Sequence, residues 1–148
     1  MTDFTAAATA LAARYASAQM TAPTGYKAVQ LSTFTPPEAL PPLPCVFVFA
    51  PESGSYDTRN GTRTGGHDFM VRFYYDQAGD MARQAAALLK WMPVLFDQLR
   101  TSVSLSSTVV TARLESYKTG YITYAGLDYA GVEMTVRVVT SEDWSASG

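Results

Sequence analysis

Cysteine and histidine each occur once in these 148 residues, and that scarcity removes most familiar site chemistry at the outset. Cys45 has no partner for an internal disulfide, and a thiolate zinc site within one chain is excluded because such sites draw several Cys and His ligands. His67 cannot form a two-histidine metal motif and stands as the one candidate general base at neutral pH. No serine or cysteine sits at a recognisable nucleophile turn to work with it. Charge is scarce too: 16% of residues are charged, eleven basic and thirteen acidic, for a net charge of -2. These charges are scattered, so an isolated subunit lacks the basic patch that tight, salt-sensitive DNA binding needs. No apolar run reaches the roughly 18 residues that span a bilayer. Met1-Thr2-Asp3-Phe4 shows no basic leader followed by an apolar block. The expectation is a soluble protein made in the cytosol, with no membrane partner and no repeat of solenoid length.

What the chain does have is apolar material, 47% of its residues, enough for the core of a single domain over residues 1–148 with some surface left for neighbours. Phe4, Ala8, Leu11, Tyr15 and Ala18 recur at spacings of four and three, which predicts an amphipathic helix from Thr2 to about Met20. Thr2 or Asp3 would cap it, and Pro23 with Gly25 would stop it. A short strand at Ala28 to Ser32 and a proline-rich extended connector follow. Leu43 to Ala50 is apolar on both alternating faces and reads as a strand covered from two sides, with Cys45 as a buried, inert thiol.

Pro51 to Gly66 has no apolar period and combines four glycines with Ser, Thr, Asn and Asp, which predicts a long polar loop. His67 to Asp76 then alternates, with His67, Phe69, Val71, Phe73 and Tyr75 on one face and Asp68, Arg72 and Asp76 on the other. Met81, Ala85, Leu88, Met92, Leu95 and Leu99 trace a second helical stripe opened by Asp80, and Pro93 predicts a kink or a fresh helix. Strands near Thr108 to Tyr117 and Gly131 to Thr140 close the fold, with a glycine and tyrosine bend between them at Gly120 to Gly126 and a frayed tail over 141–148. The order predicts an α+β fold: an antiparallel sheet of about four main strands, helices on one face, and a long inter-strand loop. Arg72, Tyr74, Arg113, Glu115, Glu133 and Arg137 would form a polar second face, open to water or partners.

Several weaker signals read as ordinary structure. Asp57-Thr58-Arg59-Asn60-Gly61 matches only the opening of a calcium loop, with Arg59 where an oxygen ligand belongs. The glycines from Gly61 to Gly66 lack the lysine and the helix start of a phosphate cradle. Arg59 and Arg63 read either as contacts to acidic residues of a neighbour or to passing phosphates, or as solvated loop charges. Tyr117, Tyr121, Tyr124 and Tyr129 read either as subunit contacts or as strand packing. No catalytic, cofactor or metal site is assigned.

In order, the N-terminal helix, Leu43-Pro44-Cys45-Val46-Phe47-Val48, a long loop and Phe69-Met70-Val71-Arg72-Phe73-Tyr74-Tyr75 resemble the tail-terminator or tail-completion proteins of long-tailed phages. The Met81 to Leu99 region, Tyr124-Ala125-Gly126, Tyr129-Ala130-Gly131-Val132 and Val136-Arg137-Val138 continue the resemblance. It implies a virion protein of the tail and neck, non-enzymatic and without cofactors. Six copies would form a ring on the last ring of tail-tube protein, end polymerisation and meet the head-closure or connector protein. DNA would pass through the lumen without specific binding. Such a ring closes by heterologous contacts. Candidate contact residues, taken from the exposure pattern, are Tyr56, Asp57, Arg59 and Arg63 on the loop, with Tyr117, Tyr121 and Tyr124, and in such a ring the loop 51–66 would order on assembly. Other neck proteins share parts of the pattern. A monomeric assembly adaptor and a small enzyme using His67 with a carboxylate are the competing classes.

Overall fold

The computed structural model describes residues 4–39, 42–59, 61–99 and 111–143, with the side chains of 142 and 143 outside that description. The expected caps Thr2 and Asp3, the inward Val110, and Trp144 lie outside the described residues. Chain order is α1 (Phe4–Arg14), β1 (Leu31–Thr33), β2 (Cys45–Arg59), β3 (Thr62–Gln77), α2 (Met81–Asp97), β4 (Thr111–Tyr124) and β5 (Leu127–Asp143). The fold is mixed α+β: two helices and one five-stranded sheet in the order β1-β2-β3-β5-β4. The four long strands pair antiparallel, while the short β1 pairs parallel to β2, so the sheet is not purely antiparallel.

Both helices pack on one face. Ala7, Ala8, Leu11 and Ala12 of α1 and Leu88, Trp91 and Leu95 of α2 share a buried cluster with Val46, Val48, Phe69, Val71, Phe73, Val132, Met134, Val136 and Val138. Small alanines let α1 lie close to the strands. Its end is tied down by Ser32, whose hydroxyl donates to the Ala12 carbonyl at 2.5 Å, and by Arg14, which donates to the Gln98 carbonyl at 2.6 Å. Asp80 caps α2 by accepting from the Arg83 amide at 3.1 Å. Buried Gln84 anchors that end to β3, donating to the Gln77 carbonyl at 2.6 Å.

α1 ends at Arg14, short of the expected Met20, and β5 continues to Asp143, into the stretch expected to fray; three further expectations need correction. The helix α2 runs as one element through Pro93. Pro93 and Leu89 lie on its exposed side, where the carbonyl that loses its donor is open to solvent, and buried Trp91 and Leu95 hold the helix on the sheet. Second, the polar face holds an apolar cluster of its own, made by Cys45, Phe47, Tyr74 and Tyr129, with Leu43, Phe49, Ile122 and Tyr124 packed against it. Tyr74, expected to be open, is fully buried because β2 turns Cys45 and Phe47 to that side. Only the rest of the face is polar, with Arg72 paired to Glu133 at 2.8 Å and Arg113 to Glu115 at 3.4 Å.

The third correction concerns 51–66, which is not a loop. β2 and β3 continue outward as a paired ribbon, Ser53 opposite Asp68 through Arg59 opposite Thr62. Beyond a bulge between Phe49 and Ser53, the pairing is regular to the turn, where Gly61 has φ 80°. Glycines make the ribbon possible by removing side chains where others must lie. A Cβ on Gly54 or on Gly65 would stand 2.8 Å from a ring nitrogen of His67, and one on Gly66 would stand 2.3 Å from the Arg137 guanidinium. Arg137 crosses there to reach Asp68 at 3.1 Å. The ribbon is therefore formed within one chain and does not wait for assembly.

The doubly covered strand is as expected, with Val46 and Val48 under the helices and Cys45 and Phe47 in the second cluster. Burial pushes the Cys45 thiol up to about 12 from an ordinary 9.0. Between these values the unfolded chain releases the proton and the folded chain keeps it. Stability is thus full below the lower value and falls as pH rises through the window. Unfolding free energy measured against pH should decline across it, and Cys45→Ala should remove the part that begins near 9.0, leaving the later decline from buried Tyr15 and Tyr74, whose hydroxyls burial also pushes up from 10.0. A thiol reagent should label the native protein only after denaturant is added; rapid native labelling would refute the buried assignment.

β4 and β5 are joined by a two-residue turn at Ala125 (φ 52°) and Gly126 (φ 83°), both left-handed as a type I′ hairpin turn demands. Alanine is strained there. Ala125→Gly is expected to stabilise the chain by about 0.5–1 kcal/mol in urea unfolding, because relief of the Cβ clash exceeds the added freedom of the unfolded chain. A lower midpoint in the variant would contradict this.

Candidate functional site

The seven residues expected at subunit contacts do not come together in one chain. Tyr56, Asp57 and Arg59 lie on the outer half of β2 and Arg63 on its β3 partner, whereas Tyr117, Tyr121 and Tyr124 lie on β4 at the opposite edge of the sheet. The two groups are separated by the full width of β3 and β5.

On the ribbon, side chains alternate between faces. Tyr56 and Arg63 are on the helix side, the Arg63 guanidinium 4.5 Å above the half-exposed Tyr56 ring. Tyr56 meets His67 at 5.2 Å between ring centroids, and His67 meets Phe4 of α1 edge-on at 4.8 Å. His67 is buried at the root of the ribbon, so its geometry is that of a packed aromatic between two others. Asp57 and Arg59 are on the far side and pair at 3.0 Å, a surface ion pair whose energetic weight is small.

On β4, Tyr117 and Tyr121 are exposed by 50% and 44%, which leaves about half of each side chain available to a partner. Phe96 of α2 supports Tyr117 from behind at 4.6 Å. Tyr124 and Tyr129 belong to the second apolar cluster instead, and the Tyr124 hydroxyl donates to the Pro37 carbonyl. For these two tyrosines, packing within the chain is the role the geometry supports.

Sequence periodicity missed a further patch. Phe4, Leu31 and Phe34 are exposed by 38%, 36% and 37%, and Phe4 and Phe34 border an apolar cavity of about 170 Å3 also lined by Val48, Ala50 and Pro51. Phe4 opens the helical stripe and so read as a core residue. Nothing in the pattern marks that β1 is too short to cover this stretch of β2.

Both outer strands are therefore open. β1 pairs with β2 only at Cys45 to Phe47, and among the described residues no strand pairs with the outer edge of β2 from Val48 to Arg59 or with the outer edge of β4. An unpaired edge presents a row of amides and carbonyls ready for another strand. A cleft of about 480 Å3 lies elsewhere, between Tyr26, Lys27, Tyr75, Arg83 and Asp76, with Arg83 and Asp76 paired at 3.2 Å. Among the described residues no three His, Cys, Asp or Glu side chains gather as a metal site, and no helix is long and apolar enough to cross a membrane. In comparisons with known proteins, no family model matches this chain and no curated protein matches it in sequence.

Proposed function

We propose that this chain is a structural subunit that assembles head to tail into a ring, of the type that caps the tail tube of a long-tailed phage. One observation carries the reading: apart from Met81 and Leu89 on α2, the exposed large apolar residues gather in two separate groups on opposite edges of one sheet, beside strand edges unpaired among the described residues. Phe4, Leu31, Phe34 and Tyr56 stand on one side, Tyr117 and Tyr121 on the other. A two-fold dimer uses one patch against its own copy, whereas two different patches at opposite edges suit a repeating contact that closes by rotation. The resemblance of the sequence to tail-terminator proteins supplies the rest: six copies, a tail-tube protein on one ring face, a head-closure or connector protein on the other, and DNA passing through a lumen that does not grip phosphates. In this role the chain performs no reaction and lives in the virion.

Light scattering of the purified protein, alone and with tail-tube protein, across concentration and salt, tests the reading. A mass near six times the 16.0 kDa subunit, and shortened tubes when the protein is added during tube polymerisation, are the expected results. A monomer in every condition would overturn it, and a ring that leaves tube length unchanged would move the protein to another position in the neck.

A further inference from the structure

We infer that the contact between copies is a strand addition: the regular outer segment of β4, Ser116 to Ile122, pairs antiparallel with the outer segment of β2, Ser53 to Arg59, of a second copy. This rests on the head-to-tail assembly proposed above and names the surfaces that would build it.

Strand direction permits the pairing. β2 is antiparallel to β3, β3 to β5 and β5 to β4, so β4 runs opposite to β2. A second copy set beside the first in the same orientation therefore offers β2 antiparallel to β4, extending one sheet from copy to copy. The available lengths agree. On β2 the regular run lies between the bulge after Phe49 and the turn at Gly61, and on β4 it begins after the bulge between Leu114 and Ser116.

Register follows from the faces and the charges. Tyr117 pairs with Met134 and Gly54 with His67, which itself pairs with Val138, so Tyr117, Thr119 and Tyr121 share the helix side with Gly54, Tyr56 and Thr58. Keeping helix side with helix side allows shifts only in steps of two residues, since side chains alternate. Lys118, which has no ion pair among the described residues, then stands opposite Ser55, Asp57 or Arg59. Opposite charges directly across a pair stabilise and like charges destabilise, which selects Asp57. That choice sets Ser53 opposite Ile122 and Arg59 opposite Ser116, so the whole regular run of β2 lies within that of β4, which continues to Tyr124. It sets Tyr121 opposite Gly54, where the His67 ring packs over the missing side chain. It also carries the β4–β5 hairpin turn toward Ala50 and Pro51, which line the apolar cavity beside Phe4 and Phe34. A symmetric pairing of two β4 edges would leave that cavity and Tyr56 uncovered.

The test is cross-linking of the full chain carrying Asp57→Cys and Lys118→Cys together, with the single variants as controls. Within one chain these positions are on opposite edges of the sheet, so a disulfide between them joins two copies. Mild oxidation under the conditions that give the ring mass should yield a ladder of covalent oligomers ending at the ring number, and neither single variant should give one. Rings of full mass without the ladder would overturn the strand pairing and leave the ring reading intact. Dimers from Lys118→Cys alone would favour the symmetric β4 contact and also overturn it. A chain that is monomeric and unlinked throughout would sink both. As a second readout, Asp57→Lys and Lys118→Asp should each reduce the ring fraction, and the double variant should restore it.

Discussion

Replacing Gly131 by alanine is expected to cost roughly 3–5 kcal/mol, a large share of the stability of a single domain. Gly131 sits in β5, in the middle of the sheet, opposite Tyr74 on one side and Gly120 on the other. A Cβ there would stand 2.1 Å from the Phe73 carbonyl oxygen and 3.1 Å from the Ile122 side chain. The first is backbone and cannot swing away as a side-chain tip can. β3 and β5 must separate, and their pairing is the longest in the fold, with the core valines on its helix side and Tyr74 on the other. Urea unfolding of Gly131→Ala beside Gly79→Ala isolates this effect, since a Cβ on Gly79 would meet nothing nearer than 3.9 Å. If both variants unfold within about 0.5 kcal/mol of the parent, a typical change at an unconstrained surface site, the close approach at Gly131 is not a real constraint.

Trp91→Ala is the second large effect, an expected loss of about 3–5 kcal/mol from the missing ring and the cavity it leaves. Trp91 is fully buried on α2, its ring 4.8 Å from Phe73 and among the side chains that join α2 to the sheet. The partner variant makes this specific. Its indole nitrogen has no hydrogen-bond partner among the described residues. Trp91→Phe therefore sacrifices ring volume without sacrificing a hydrogen bond, and should cost about 1–1.5 kcal/mol, as moderate losses of core volume do. A loss for Phe well above the volume effect would mean that the indole nitrogen has a partner after all. Small losses for both would mean that α2 is not held to the sheet by this residue.

Where a segment packs against something in its own chain, the pattern of residues was enough to read it. β3 and β5 alternate because the helices cover one of their faces, and α2 shows its stripe because Trp91 and Leu95 meet the sheet. Cys45 to Val48 reads as apolar on both faces because two clusters cover it. The ribbon from Ser53 to Arg59 was illegible for the converse reason. Neither of its faces is covered by a helix, its side chains are exposed, and periodicity reports burial, not backbone pairing. Asn60-Gly61, a dipeptide suited to a two-residue hairpin, was the available signal, outweighed by the polar, glycine-rich composition around it.

The seven residues expected at contacts divide along the same line. Their polarity and aromatic character marked them as surface material, and for Tyr56, Tyr117 and Tyr121 that is where they are. Tyr124 differs only because the Pro37 carbonyl and the Phe47 ring come to it from distant parts of the chain.

By itself, the sequence determined the apolar stripes, the scarcity of chemistry-bearing residues, the cap at Asp80 and the strands whose faces differ in burial, because each is written in local composition or spacing. Only the tertiary structure decided that β1 joins parallel, that glycines let His67 and Arg137 pack through the ribbon, and that, among the described residues, the outer edges of β2 beyond Phe47 and of β4 are left unpaired. Those outcomes depend on which backbones lie side by side and on how far each neighbour extends. That is set by contacts between residues tens of positions apart, which no local pattern encodes.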